Sequence, residues 1–171
     1  MASQAGQDEK NEAQGSARGA GRPRTPKPAR VQIRLAGYPD AEAIMGLDDG
    51  ARMDRGRTNF IYKMISDRHC HVATLDGQVA AYGVLEYSFF GHGFLSIIFV
   101  APEHRRRTIG SQLVRAMEKI CNTDRLFTTA ARSDIAMQAL MAGLQYKRSG
   151  RIDNLEDDEP KLVFFVQPRK G

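Results

Sequence analysis

The segment FLSIIFVAPEHRRRTIGSQLVRAMEKIC, residues Phe94–Cys121, decides how the rest of the chain is read. Its first seven residues are almost entirely apolar, as in a strand buried on both faces. Pro102 ends that strand, because proline lacks the N–H a ladder needs. The polar run Glu103–Ser111 leads into a helix with Leu113, Val114, Met117, Ile120 and Cys121 on one face. A helix start offers unpaired N–H groups and a partial positive charge. Arg105, Arg106 and Arg107 add full charges beside it, and Gly110 permits close backbone approach. Strand, cationic turn and helix together predict a site for an anionic group, most simply a pyrophosphate, at residues 105–111. The bland alternative is a solvated arginine run before an ordinary helix.

Outward from this segment the pattern is regular. Val31, Ile33 and Leu35 alternate with Gln32 and Arg34, predicting a strand with one buried face. A helix follows Pro39-Asp40, with Asp40 placed to accept from its first free N–H groups. A second runs from Met53 to Ile65, after a polar and mobile Asp48–Arg57 stretch. His69–Leu75 and Gln78–Phe90 are strands joined at Asp76-Gly77, a hairpin dipeptide. Gly91-His92-Gly93 makes the next turn, into the strand Phe94–Val100. Beyond the central helix, Arg125–Ala131 is a strand and Ser133-Asp134 starts a helix carrying Met137, Leu140, Met141 and Leu144. Tyr146–Asp153 and Lys161–Val166 complete the set, joined by the acidic loop Glu156–Glu159. The fold class is α/β (α+β): a mixed sheet of about seven strands with about four helices. The order is β-α-α-β-β-β-α-β-α-β-β.

The chain has 171 residues, enough for one domain, and a net charge of +5. Residues 1–30 hold six basic and three acidic residues, a net of +3, and no Ile, Leu, Val, Phe or Tyr. Such a segment buries too little apolar surface to offset its ordering entropy, so it reads as a disordered tail before a folded domain of residues 31–171. That domain holds 19 basic and 17 acidic residues, a net of only +2. No run approaches the ~20 apolar residues of a spanning helix, and the N-terminus has no signal-peptide core. The two cysteines, Cys70 and Cys121, form no disulfide framework and read as free thiols of a cytoplasmic protein. His69 and His71 flank Cys70 on one strand face, but no third ligand is clustered with them, so no metal is expected. Gly21-Arg22-Pro23-Arg24 resembles the core of an AT-hook, which lies in the minor groove of A·T-rich DNA. A solubilising tail explains the same four residues, so nucleic acid is expected at most through residues 21–30.

Val100-Ala-Pro-Glu-His-Arg-Arg-Arg-Thr-Ile-Gly-Ser111 resembles the acetyl-CoA signature of the GNAT N-acetyltransferases, Arg/Gln-x-x-Gly-x-Gly/Ala after a buried strand. Phe89–Phe94, Met137–Leu140 and Ser149–Leu155 are similar to small bacterial GNAT proteins, and the resemblance covers about residues 31–167. It implies an acetyl-CoA-dependent acyltransferase without a metal, acting on a small-molecule or peptide amine by direct attack. It also implies a splayed strand whose backbone at Ile98, Phe99 and Val100 holds the pantetheine. Arg105, Arg106, Arg107, Thr108, Ile109, Gly110 and Ser111 would then hold the pyrophosphate.

The sequence departs from that signature at several positions. Thr108 replaces its first glycine, Met141 stands where many members have a proton-donating tyrosine, and Ser96 where some carry a glutamate base. Gln145 replaces a glycine before Tyr146. The remaining candidates for proton transfer are Glu86, Tyr87 and His92, against bland readings as strand and turn residues. A catalytically impaired acyl-CoA-binding domain is the alternative. A monomer or a homodimer fits equally, and the acidic loop is a candidate attractor for a cationic acceptor.

Overall fold

The computed structural model describes residues 30–155 and 159–168; the tail through residue 29 and most of the acidic loop, 156–158, lie outside them. Seven strands form one sheet: β1 (Val31–Leu35), β2 (Cys70–Leu75), β3 (Gln78–Phe89), β4 (His92–Val100), β5 (Leu126–Ala131), β6 (Lys147–Ile152) and β7 (Lys161–Val166). Their spatial order is β1-β2-β3-β4-β5-β7-β6. All neighbours are antiparallel except β4 and β5, which the crossover helix α4 (Ile109–Ile120) makes parallel. The remaining helices are α1 (Ala41–Leu47), α2 (Asp49–Met53), α3 (Arg55–Ser66) and α5 (Ile135–Gly143).

Five helices stand where the sequence suggests four. The extra one, α2, replaces the mobile stretch expected at residues 48–57. Asp48 accepts from the Ala51 N–H at 3.0 Å and Asp54 from the Gly56 N–H at 2.8 Å, so Asp48 caps α2 and Asp54 caps α3. Asp40, expected to cap α1, does otherwise. Its carboxylate takes both Arg34 guanidinium nitrogens, at 2.7 and 2.8 Å, and the Gly37 N–H at 2.8 Å. A bidentate ion pair outcompetes a neutral cap donor. Asp134 does cap α5, accepting from the Met137 N–H at 2.8 Å.

The β3–β4 turn is tighter than Gly91-His92-Gly93. Phe90 (φ 51°) and Gly91 (φ 73°) form it alone, and His92 and Gly93 already belong to β4. Positive φ at both central residues matches the right-handed strand twist.

Two cores flank the sheet. One packs α4 and α5 on it through Leu113, Val114, Met117, Met141 and Leu144, and reaches β5 and β7 through Leu126, Leu162 and Phe164. The other packs Ile44 of α1 and Ile61 and Ile65 of α3 on Val72, Tyr82 and Val84, and contains no residue of β5, β6 or β7. Cys121 is buried in the first core beneath Gly93, and Cys70 in the second.

Candidate active site

β4 and β5 pair only at Gly93↔Leu126, Phe94↔Phe127 and Leu95↔Thr128. Beyond that point β4 runs on to Val100 paired with β3 alone, and β5 turns to β7. The two strands open like a V. At its vertex, Thr128 Oγ1 donates to the Leu95 carbonyl at 2.9 Å.

The vertex coincides with a β-bulge. β3 pairs Val84 with Ile97 and Leu85 with Leu95, so Ser96 has no partner across the ladder. The extra residue breaks the alternation: Leu95 and Ile98 face the α4 core, while Ile97 and Phe99 face the α1–α3 core. Ser96 Oγ is buried and unpartnered among the described residues. The expectation that residues 94–100 are buried on both faces holds for Leu95 but not for Phe94 or for Ser96–Val100; these last five are half-buried because the V leaves them uncovered.

The Ala101 N–H donates to the Ala80 carbonyl on β3. Successive strand residues turn their backbone groups to opposite edges, so Phe99 also faces β3, and Ile98 and Val100 face the open V. Arg105 Nε reaches the Val100 carbonyl at 3.2 Å.

The strand delivers the chain through one 3-10 turn, Pro102–His104, to the exposed run Arg105–Thr108. Gln112 is the first residue of α4 whose N–H bonds back, to the Thr108 carbonyl at 2.9 Å. The N–H groups of Ile109, Gly110 and Ser111 precede that ladder. A Cβ on Gly110 would stand 3.3 Å from Val100 Cγ2, so glycine lets the helix start sit against β4. Thr108 adopts φ 60°, ψ 3°, a left-handed conformation that a β-branched residue takes only under strain. Its hydroxyl donates to the Arg107 carbonyl at 2.6 Å and accepts from Gln112 Nε2 at 3.0 Å, which fixes the turn. Arg106 has φ 60° as well.

The three proton-transfer candidates are not gathered in one place. Glu86 pairs with Phe94, next to the vertex, and accepts from Ser88 Oγ at 2.9 Å. Tyr87 packs against the α4 core, where its hydroxyl accepts from the Asn122 N–H at 3.3 Å and its ring meets His69 edge-on. Burial pushes the Tyr87 hydroxyl pKa up. His92 is at the first residue of β4, its ring 5.7 Å from Phe127. Met141 is fully buried core. Tyr146, also buried, faces Glu118 without completing a hydrogen bond, and burial followed by that carboxylate raises its pKa. Among the described residues no three potential metal ligands cluster. Burial lowers the His71 pKa.

One polar cluster beside the V has no counterpart in the sequence reading. Asp48, 3% exposed, accepts from Tyr82 Oη and Arg57, each at 2.5 Å. Burial first, then the Asp48 carboxylate, pushes the Tyr82 pKa up, so the phenol keeps its proton and donates. This cluster ties α2 and α3 to the centre of β3. The readable signal is the pair Asp48 and Asp54, each a cap-forming residue directly ahead of a helix.

The Acetyltransferase (GNAT) family model matches residues 39–143, and the chain belongs to that family of acetyl-CoA-dependent acyltransferases. Solved structures agree on the fold. A GNAT-family acetyltransferase from Bacillus cereus superposes with a TM-score of 0.77 at 26% identity, covering 82% of this chain and 99% of that one. The ribosomal-protein-S18-alanine N-acetyltransferase of Escherichia coli gives 0.68 at 18% identity, over 83% and 96%. Diaminobutyrate acetyltransferase from Paenibacillus lautus gives 0.64 at 18%, over 82% and 96%. No curated protein sequence matches the chain.

Proposed function

We propose that this protein transfers the acetyl group of acetyl-CoA to a primary amine by direct attack, with Glu86 taking the proton the amine loses. The observation that carries the reading is the V itself. β4 continues five residues past its last pair with β5, Ile98 and Val100 turn backbone N–H groups to the gap, the Val100 carbonyl there already accepting from Arg105, and the strand ends at free N–H groups beside three arginines. An extended pantetheine fits such an edge as an added strand, and a pyrophosphate fits the turn. The residues present suit the cofactor in kind: backbone donors, cations and a glycine at the close approach.

Acetyl-CoA supplies the activated thioester. The chain's own groups do the rest. The edge of β4 holds the acyl end near Ser96, and the face bearing Glu86 admits the amine. As the nitrogen–carbon bond forms, the carbon–sulfur bond breaks. The proton leaves the nitrogen for Glu86, directly or through one water, and the thiolate takes a proton from solvent because Met141 has none to give. Positioning supplies much of the rate in such transfers.

Calorimetry with acetyl-CoA, followed by thiol release against a panel of amines, tests the reading. Binding together with turnover supports it. Absence of binding overturns it, and binding without turnover on any amine points to an acyl-CoA-binding domain instead. Glu86→Gln is expected to lower kcat by about 10²-fold or more, with acetyl-CoA affinity unchanged.

A further inference from the structure

Register places five residues in one row across five strands. Glu86 of β3 pairs with Phe94 of β4, Phe94 with Phe127 of β5, Phe127 with Phe165 of β7, and Phe165 with Lys147 of β6. Directly paired residues point to the same face of a sheet, so an acid, three phenyl rings and a cation share one face. Phe127 and Phe165 stack at 5.8 Å, and Phe89 joins the row 4.9 Å from Phe94 and 5.3 Å from Phe127. These rings belong to neither core and are half-buried. The row crosses one residue before the vertex of the V.

At the cationic end lies a cavity of about 390 Å³, walled by Phe127, Phe165, Gln145 and Gln167 and carrying Arg125 and Lys147. Neither cation has an acidic partner among the described residues.

We infer that this row is the acceptor platform, and that the acceptor is an apolar amine with an anionic group at its far end, such as a short peptide with a free carboxylate. The inference rests on the acetyl-transfer reading and names its substrate class. Its amine would stand at the Glu86 end beside the vertex, its body on the phenyl rings, and its carboxylate between Arg125 and Lys147. Strands about 4.8 Å apart put the cationic end about 12 Å from the V, the length of roughly three extended residues. The charges exclude two other occupants. The basic tail has the same sign as Arg125 and Lys147. A polycation would meet one acid in the row, Glu86, and two cations at its far end; the acidic loop's Glu159 already accepts from the Ser133 N–H at 2.9 Å.

The test is calorimetry on the full chain, with and without saturating CoA, using alanyl-phenylalanyl-leucine as free carboxylate and as C-terminal amide, and spermidine as the polycation. The free carboxylate is expected to bind about tenfold more tightly than the amide. Arg125→Glu with Lys147→Glu should bring that ratio to about one or below; both side chains are exposed, so the fold tolerates the change. Equal binding of the two peptides, binding of neither, or tighter binding of spermidine overturns the assignment. A protein that binds the free-carboxylate peptide but not CoA overturns the transfer reading, and with it the acceptor role, and leaves the row as a peptide-binding site only.

Discussion

At the scale of single residues, Thr108 carries the clearest local strain among the described residues. It sits at φ 60° with a branched Cβ at the entrance to α4, where glycine fits without cost. Thr108→Gly should stabilise the fold by about 0.5–1 kcal/mol after the added freedom of the unfolded chain is counted. It should also tighten acetyl-CoA binding by clearing the turn. A lower urea midpoint for the variant would show that the hydroxyl's two hydrogen bonds matter more than the strain. Asp40 shows the opposite case, a side chain with every partner in place. Its hydrogen bonds with Arg34, above all, hold its carboxyl below the usual range. A depressed folded pKa stabilises above the unfolded value near 4 and loses that contribution as pH falls through the folded value. Asp40→Asn should therefore cost about 1.5–3 kcal/mol at pH 7, with the gap to the parent closing in acid. Urea titrations at pH 7 and pH 3 read it directly, and an equal gap at both values would refute it.

Among the elements, what the sequence displays and what it hides divide by physical type. Periodicity and turn dipeptides place every strand within one or two residues, and Lys161–Val166 coincides with β7. The cationic turn, the start of α4 and the apolar strand before it are legible because each rests on local chemistry. The bulge at Ser96 is not, because an extra residue in one strand is defined only by its partner strand. The aromatic row is equally invisible. Phe94, Phe127 and Phe165 are far apart in the chain, and only strand register joins them. The Asp48–Arg57–Tyr82 cluster is hidden as well, because the polar stretch 48–57 reads as solvated until its buried partner Tyr82 is known. The β4–β5 joint yields a sharper expectation. A Cβ at Gly93 would lie 2.5 Å from Cys121 Sγ and 3.1 Å from Leu126 Cδ1. Gly93→Ala should destabilise by about 1–3 kcal/mol, since a packed core gives way poorly. Adding Cys121→Ala should recover part of that loss in a double-mutant cycle. Additive losses would mean that the thiol is not what the new methyl meets.

For the whole molecule, the joint between β4 and β5 is narrow: three residue pairs, backed by the core that α4 and α5 share with both halves of the sheet. The second core lies wholly on the β1–β4 side and does not cross the joint. A ligand lying in the V would bridge the two halves and add hydrogen bonds along β4. Strand alternation makes the consequence specific to single amides. Phe99 and Ala101 donate toward β3, so their protection does not depend on a ligand, whereas Ile98 and Val100 face the gap. Hydrogen exchange should therefore show slow amides at Phe99 and Ala101 in the free protein and fast ones at Ile98 and Val100. Saturating acetyl-CoA should slow the second pair far more than the first. At a ligand concentration near 100 times Kd, the whole domain also gains about 2.7 kcal/mol against global unfolding, raising protection everywhere in the slow core. The excess at Ile98 and Val100 above that uniform gain is the signature of an added strand. A uniform gain with no excess at these two amides would place the cofactor elsewhere on the molecule.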